Sequence, residues 1–141
     1  MYTSLAPIIG WTVLVAILVV AFLKGGLAER FGALLVLISA AVAMAIHVLA
    51  PRDLQPTLLL MDEAFLALGF LLLALRYTSV WLGGAMILQA VQFSLHAYYL
   101  VGELPRNRTY AIINNVDTIG VLACILVGTL LAWRKRTRAA K

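Results

Sequence analysis

The residues in this sequence that can do chemistry are few, and most stand inside apolar runs. Asp62 and Glu63 are adjacent near the start of LMDEAFLALGFLLLAL, positions 60–75. His47 and His96, the two histidines of the chain, lie in other such runs, as do Gln89, Gln92, Asn114, Asn115 and Asp117. Carboxylates, imidazoles and amides in lipid bond one another between helices, or they bind a small polar ligand, a lipid headgroup, an ion or a proton. Two histidines on different helices can also be axial ligands of one b-type haem. His47, His96, Asp62 and Asp117 are permitted ligand types for a divalent metal. No HExxH spacing supports a metal enzyme, and no GxSxG or Cys/His pairing supports nucleophilic catalysis. An enzyme is not indicated, and no cofactor is assigned.

These groups need a scaffold, and composition says which kind. The chain has 141 residues, 64% hydrophobic and 12% charged. Soluble domains average about 45–50% apolar and about 25% charged. The expected fold is therefore all-α: a polytopic transmembrane bundle of five helices forming a single domain. A membrane span needs about 20 apolar residues. Five runs qualify, at about 7–23, 31–50, 57–75, 80–101 and 110–133, with a basic tail at 134–141. The rival arrangement has four spans and one apolar run lying on the membrane surface.

The net charge of +5 is concentrated between the runs and in WRKRTRAAK. That distribution suits topology signals and anionic lipid, and argues against nucleic-acid binding. With five spans, Arg52, Arg106 and Arg108 fall on one side. Lys24, Arg30, Arg76, Arg134, Lys135, Arg136, Arg138 and Lys141 fall on the other. The positive-inside rule then places the tail in the cytoplasm and the amino terminus outside. Trp81 and Trp133 read as anchors at the inner interface, Trp11 and Tyr110 at the outer one. MYTSLAPIIG lacks a positively charged n-region, so the first run is expected to remain as an anchor. Cys124 is the single cysteine and reads as a small buried apolar residue. The Asn107-Arg108-Thr109 sequon abuts the membrane and reads as a chance match.

Depth gathers the polar residues into one layer. At about 1.5 Å per residue, Asp62 and Glu63 lie about 8–9 Å inside the outer end of the third helix. His47 is about 5 Å from the outer end of the second, His96 about 8 Å from that of the fourth, and Asn114 to Asp117 about 6–11 Å inside the fifth. The inner half offers nothing comparable. Helical spacing puts Gln89, Gln92, His96, Tyr99 and Glu103 on one stripe of the fourth helix. Tyr110, Asn114, Asp117, Val121, Cys124 and Gly128 form another on the fifth. His47 continues the small-residue face of Ala33, Ala40 and Ala43. Asp62 shares its stripe with Gly69, where a neighbouring helix can come close, and Glu63 is turned about 100° away. Asp62 is therefore expected to be the more sensitive carboxylate.

The candidate ligand-binding set is His47, Asp62, Glu63, Gln89, Gln92, His96, Asn114 and Asp117. Its expected role is a polar pocket in the periplasmic half of a non-enzymatic binding or accessory subunit. The alternative is a haem- or metal-binding redox component using His47 and His96. The partners are the lipid bilayer and, compatibly, another membrane protein or a second copy of the chain.

GGLAER after the first run, MDEA, and ALRYTSVWLGGAMILQAVQFSLHAYYL carry a resemblance, as does RTYAIINNVDTIGVLACILVGTLLAWRKR at the end. Together they resemble a group of small uncharacterised polytopic inner-membrane proteins of alphaproteobacteria, sphingomonads and their relatives. The matching marks are Gly25, Gly26, Glu29 and Arg30 in the turn, the acidic Asp62, and Trp81, Gln89 and His96 on the fourth helix. That group carries a tryptophan where this chain has Asn114-Asn115-Val116-Asp117. The resemblance implies a bacterial inner-membrane location and no known activity, cofactor or partner.

Overall fold

The computed structural model describes residues 5–141. It is an all-α bundle of five helices: α1 (Ala6–Lys24), α2 (Leu27–Leu49), α3 (Gln55–Arg76), α4 (Val80–Val101) and α5 (Arg108–Ala139). All five are long and apolar enough to cross a membrane, and the chain is a multi-pass membrane protein. Proline at the first helical positions opens α1 and α3, where the missing N–H would lack a partner anyway. Ala50 is extended before Pro51, which closes α2. Asn107 caps α5, its side-chain oxygen accepting from the Tyr110 N–H at 2.9 Å.

Two boundaries differ from the sequence expectation by more than two residues. Helix α2 begins at Leu27, because the Glu29 carboxylate accepts the Gly26 N–H at 2.8 Å and caps the first turn. Helix α5 continues through the basic tail to Ala139. Cations suit the negative end of a helix dipole, and Arg136 also donates to the carbonyls of Lys24 and Gly25, serving the unpaired end of α1. Near it, Lys24 Nζ lies 4.8 Å from the centre of the Trp133 ring.

The helices close into a ring in chain order, α5 packing back on α1 and also reaching across to α2. Short turns such as Gly25-Gly26 make sequence neighbours antiparallel and adjacent. The core holds Leu14 and Ala21 of α1, Val36 of α2, Phe70 of α3, Leu82 of α4 and Ile125 of α5. Val19, Phe65, Leu72, Ile87 and Val127 face outward, as lipid allows. Since both inner and outer surfaces are apolar, hydrophobicity does not fix the rotation of each helix. Close approaches and polar partners do.

Trp81 is the clearest case. Its indole is buried between α2 and α5, where a Cβ on Gly32 would lie 2.7 Å from the ring and one on Gly128 within 2.3 Å. The indole N–H donates to the buried Glu29 carboxylate at 2.8 Å, and Phe70 meets the ring edge-on. Two expectations are corrected here. Trp81 is a core residue rather than an interfacial anchor, and the basic half of the bundle does hold a buried carboxylate. Glu29 is accommodated because it receives two N–H donors.

Candidate functional site

Asp62 and Glu63 are both buried, on different faces of α3. Asp62 faces α2, where Ser39 Oγ donates to Oδ2 at 2.8 Å. The same face carries Gly69, where an added Cβ would be 2.8 Å from Leu35 of α2. The close approach expected at Gly69 is therefore real, but it aims Asp62 away from the polar stripe of α4. Glu63 meets that stripe instead. Gln89 Nε2 donates to its Oε2 at 2.5 Å and Gln92 Nε2 to its Oε1 at 3.1 Å. The second hydrogen of Gln92 Nε2 reaches Asn114 Oδ1 on α5, also at 3.1 Å. One amide thus ties α3, α4 and α5 together.

The stripe continues toward the end of the bundle that carries Arg52 and Arg106. His96 is buried, and its Nδ1 lies 3.0 Å from the Gln92 carbonyl oxygen. A carbonyl only accepts, so Nδ1 carries a hydrogen. With the ring neutral, Nε2 is then the acceptor for the Tyr110 hydroxyl at 2.8 Å. Tyr110 is buried and packed against His96 and Tyr99, so it belongs to the site rather than to an aromatic belt.

Above His96 opens a cleft of about 510 Å³, walled by Arg52 and Gln55 from the α2–α3 side and by Tyr99, Glu103 and Arg106 from the end of α4 and the loop after it. Glu103 takes φ 50°, the left-handed region unusual for a residue with a Cβ. The cleft offers two guanidinium groups beside the single carboxylate of Glu103, while the Gln55 amide already donates to the carbonyls of His47 and Ala50 and the Tyr99 hydroxyl to Asn107 Oδ1. The guanidinium pair suits a small ligand bearing a carboxylate or phosphate.

Asp117 is buried on α5, as the sequence stripe expects, and its Oδ2 has no hydrogen-bond partner among the described residues. Gln89 is fully buried and its Oε1 is likewise unpartnered. His47 is not brought to these residues. Burial fades along its face of α2, from Ala33 to a half-buried Ala43, and His47 itself is exposed with Nδ1 donating to the Ala43 carbonyl at 2.8 Å. His47 and His96 thus do not face one centre, and both His96 nitrogens already have partners.

The structure gathers Glu63, Gln89, Gln92, His96, Asn114 and Asp117 along α3, α4 and α5, and sets Asp62 and His47 apart. Ser39 beside Asp62, and Arg52 and Arg106 at the cleft, are not anticipated by the sequence. A serine inside an apolar helix was the available signal for the first. The two arginines are loop residues whose convergence depends on the turn after α4. No family model, curated protein or solved structure matches the chain.

Proposed function

We propose that this chain is a small inner-membrane binding protein, an accessory rather than a catalytic component, that takes an anionic small ligand into the cleft above His96. The observation that carries this is the double role of His96. It lines the cleft and bonds the backbone of Gln92, whose side chain holds the buried Glu63 of α3 and Asn114 of α5, so an occupant of the cleft lies against the residue next to the contact that ties three helices. Arg52 and Arg106 supply the charge for an anion and outnumber the one carboxylate of the cleft, Glu103. The distribution of Lys and Arg supports a cleft facing the periplasm and a cytoplasmic carboxyl terminus. The likeness to small alphaproteobacterial inner-membrane proteins supports the same membrane.

The test is thermal unfolding of the detergent-purified chain with inorganic phosphate, glycerol phosphate and succinate as probes. At least one should raise the melting temperature with concentration, since a ligand of the folded state alone stabilises it. The shift should vanish when Arg52 and Arg106 are both replaced by Gln. No shift with any probe, or a shift that survives the double replacement, contradicts the reading.

A further inference from the structure

The register of α4 against α5 sets two unpartnered acceptors at one level. Along this interface Gly84 lies against Cys124, Leu88 against Gly120, Gln92 against Asn114 and His96 against Tyr110. In an antiparallel pair with those neighbours, Gln89 is level with Asp117. Gln89 is 0% exposed and Asp117 4% exposed, and Gln89 Oε1 and Asp117 Oδ2 are both without a donor. The Gln89 amide is not free to turn round, because its nitrogen is engaged by the Glu63 carboxylate at 2.5 Å. Buried acceptors without donors are rare, and ionised carboxylates are costly in hydrocarbon.

We propose that Asp117, Gln89 and Glu63 form a proton-binding site, in which a proton on Asp117 Oδ2 is donated to Gln89 Oε1. One proton from solvent converts the Asp117 carboxylate to the neutral acid, and no other bond forms or breaks. That single proton turns one orphan acceptor into a donor for the other and removes one charge from the layer. Gln89 then relays the arrangement to Glu63 through its nitrogen.

The other groups that face this region are accounted for. On α3 they are Asp62 and Glu63, and on α4 the titratable neighbour is His96. On α5 they are Tyr110, bonded to His96, and the thiol of Cys124, each two turns from Asp117. Helix α2 contributes Ser39, whose hydroxyl serves Asp62, while its His47 is exposed. Helix α1 has no titratable side chain except Lys24 at the opposite end. Among the described residues, no three of the His, Cys, Asp and Glu side chains are placed to hold a metal ion. The site stands independently of any ligand in the cleft.

Infrared spectroscopy of the purified chain at neutral pH tests this. A carbonyl stretch from a protonated carboxyl group should be present, should shift when the aspartates carry carbon-13, and should disappear at high pH. It should be lost in Asp117→Asn and kept in Asp62→Asn. Should Asp117→Asn fail to fold, the labelled wild-type chain and Asp62→Asn decide alone. Absence of the band, a band that ignores aspartate labelling, or its loss in Asp62→Asn overturns the proposal. So does a missing band accompanied by stabilisation specific to sodium over choline, which would assign the oxygens to a cation.

Discussion

Glu63 on α3 and His96 on α4 are joined through one residue, Gln92. Its backbone carbonyl accepts from His96 Nδ1 at 3.0 Å, and its side-chain amide donates to Glu63 at 3.1 Å. The amide also reaches Asn114 at 3.1 Å, so its two hydrogens are both used. Replacing Gln92 with Leu leaves an oxygen of Glu63 and one of Asn114 without that donor. A buried group left unpaired costs about 1–3 kcal/mol. We expect Gln92→Leu to lower the melting temperature in detergent, and to do so more than Val91→Leu, an exposed neighbour on the same helix. Equal melting of the two variants would contradict the bridging role.

The two adjacent carboxylates should behave differently. Glu63→Leu leaves the Gln89 and Gln92 amides without their acceptor, whereas Asp62→Leu leaves one serine hydroxyl that can turn to its own helix backbone. The loss of stability at Glu63 should exceed that at Asp62 by about 1–3 kcal/mol. A greater loss at Asp62 would restore the ranking that sequence spacing alone suggests.

Packing around Trp81 gives a sharper contrast. A methyl at Gly128 would fall 2.3 Å from the indole, while Gly83 on the other side of α4 has nothing within 4 Å. Gly128→Ala should destabilise by about 1–3 kcal/mol through overpacking. Gly83→Ala should be neutral or slightly stabilising, since alanine is the better helix former by about 0.8–1.0 kcal/mol. Thermal unfolding of both variants followed by tryptophan fluorescence checks the pair, and similar destabilisation in the two would show that Trp81 does not fill that gap.

The orientation proposed from charge is checked by reporter fusions after Arg52, Arg76, Arg106 and Arg138. Periplasmic activity is expected at Arg52 and Arg106, and cytoplasmic activity at Arg76 and Arg138. Cytoplasmic signals at Arg52 and Arg106 would invert the bundle.

What the sequence made legible follows from what constrains a helix alone. Run length finds all five spans, and spacing within one helix finds the stripe of Gln89, Gln92 and His96 and that of Tyr110 and Asp117. Rotation of one helix against another is not encoded by apolar periodicity when every face is apolar. That is why Glu63 rather than Asp62 turned out to face α4, and why His47 lies outside the cluster despite its depth. The Glu29–Trp81 bond was hidden for a related reason. GGLAER reads as a turn, and only the start of α2 at Leu27 brings Glu29 inside the bundle.

The hydrogen bonding that fixes His96 beneath the cleft is tested most directly at its ring. In a chain with His47 replaced by Gln, a single histidine remains, and nitrogen-15 magnetic resonance can report which ring nitrogens carry hydrogen. The structure predicts a hydrogen on Nδ1, held by the Gln92 carbonyl, and an Nε2 resonance that moves when Tyr110 becomes Phe. A His96 ring with an unprotonated Nδ1, or an Nε2 resonance indifferent to Tyr110→Phe, would contradict it.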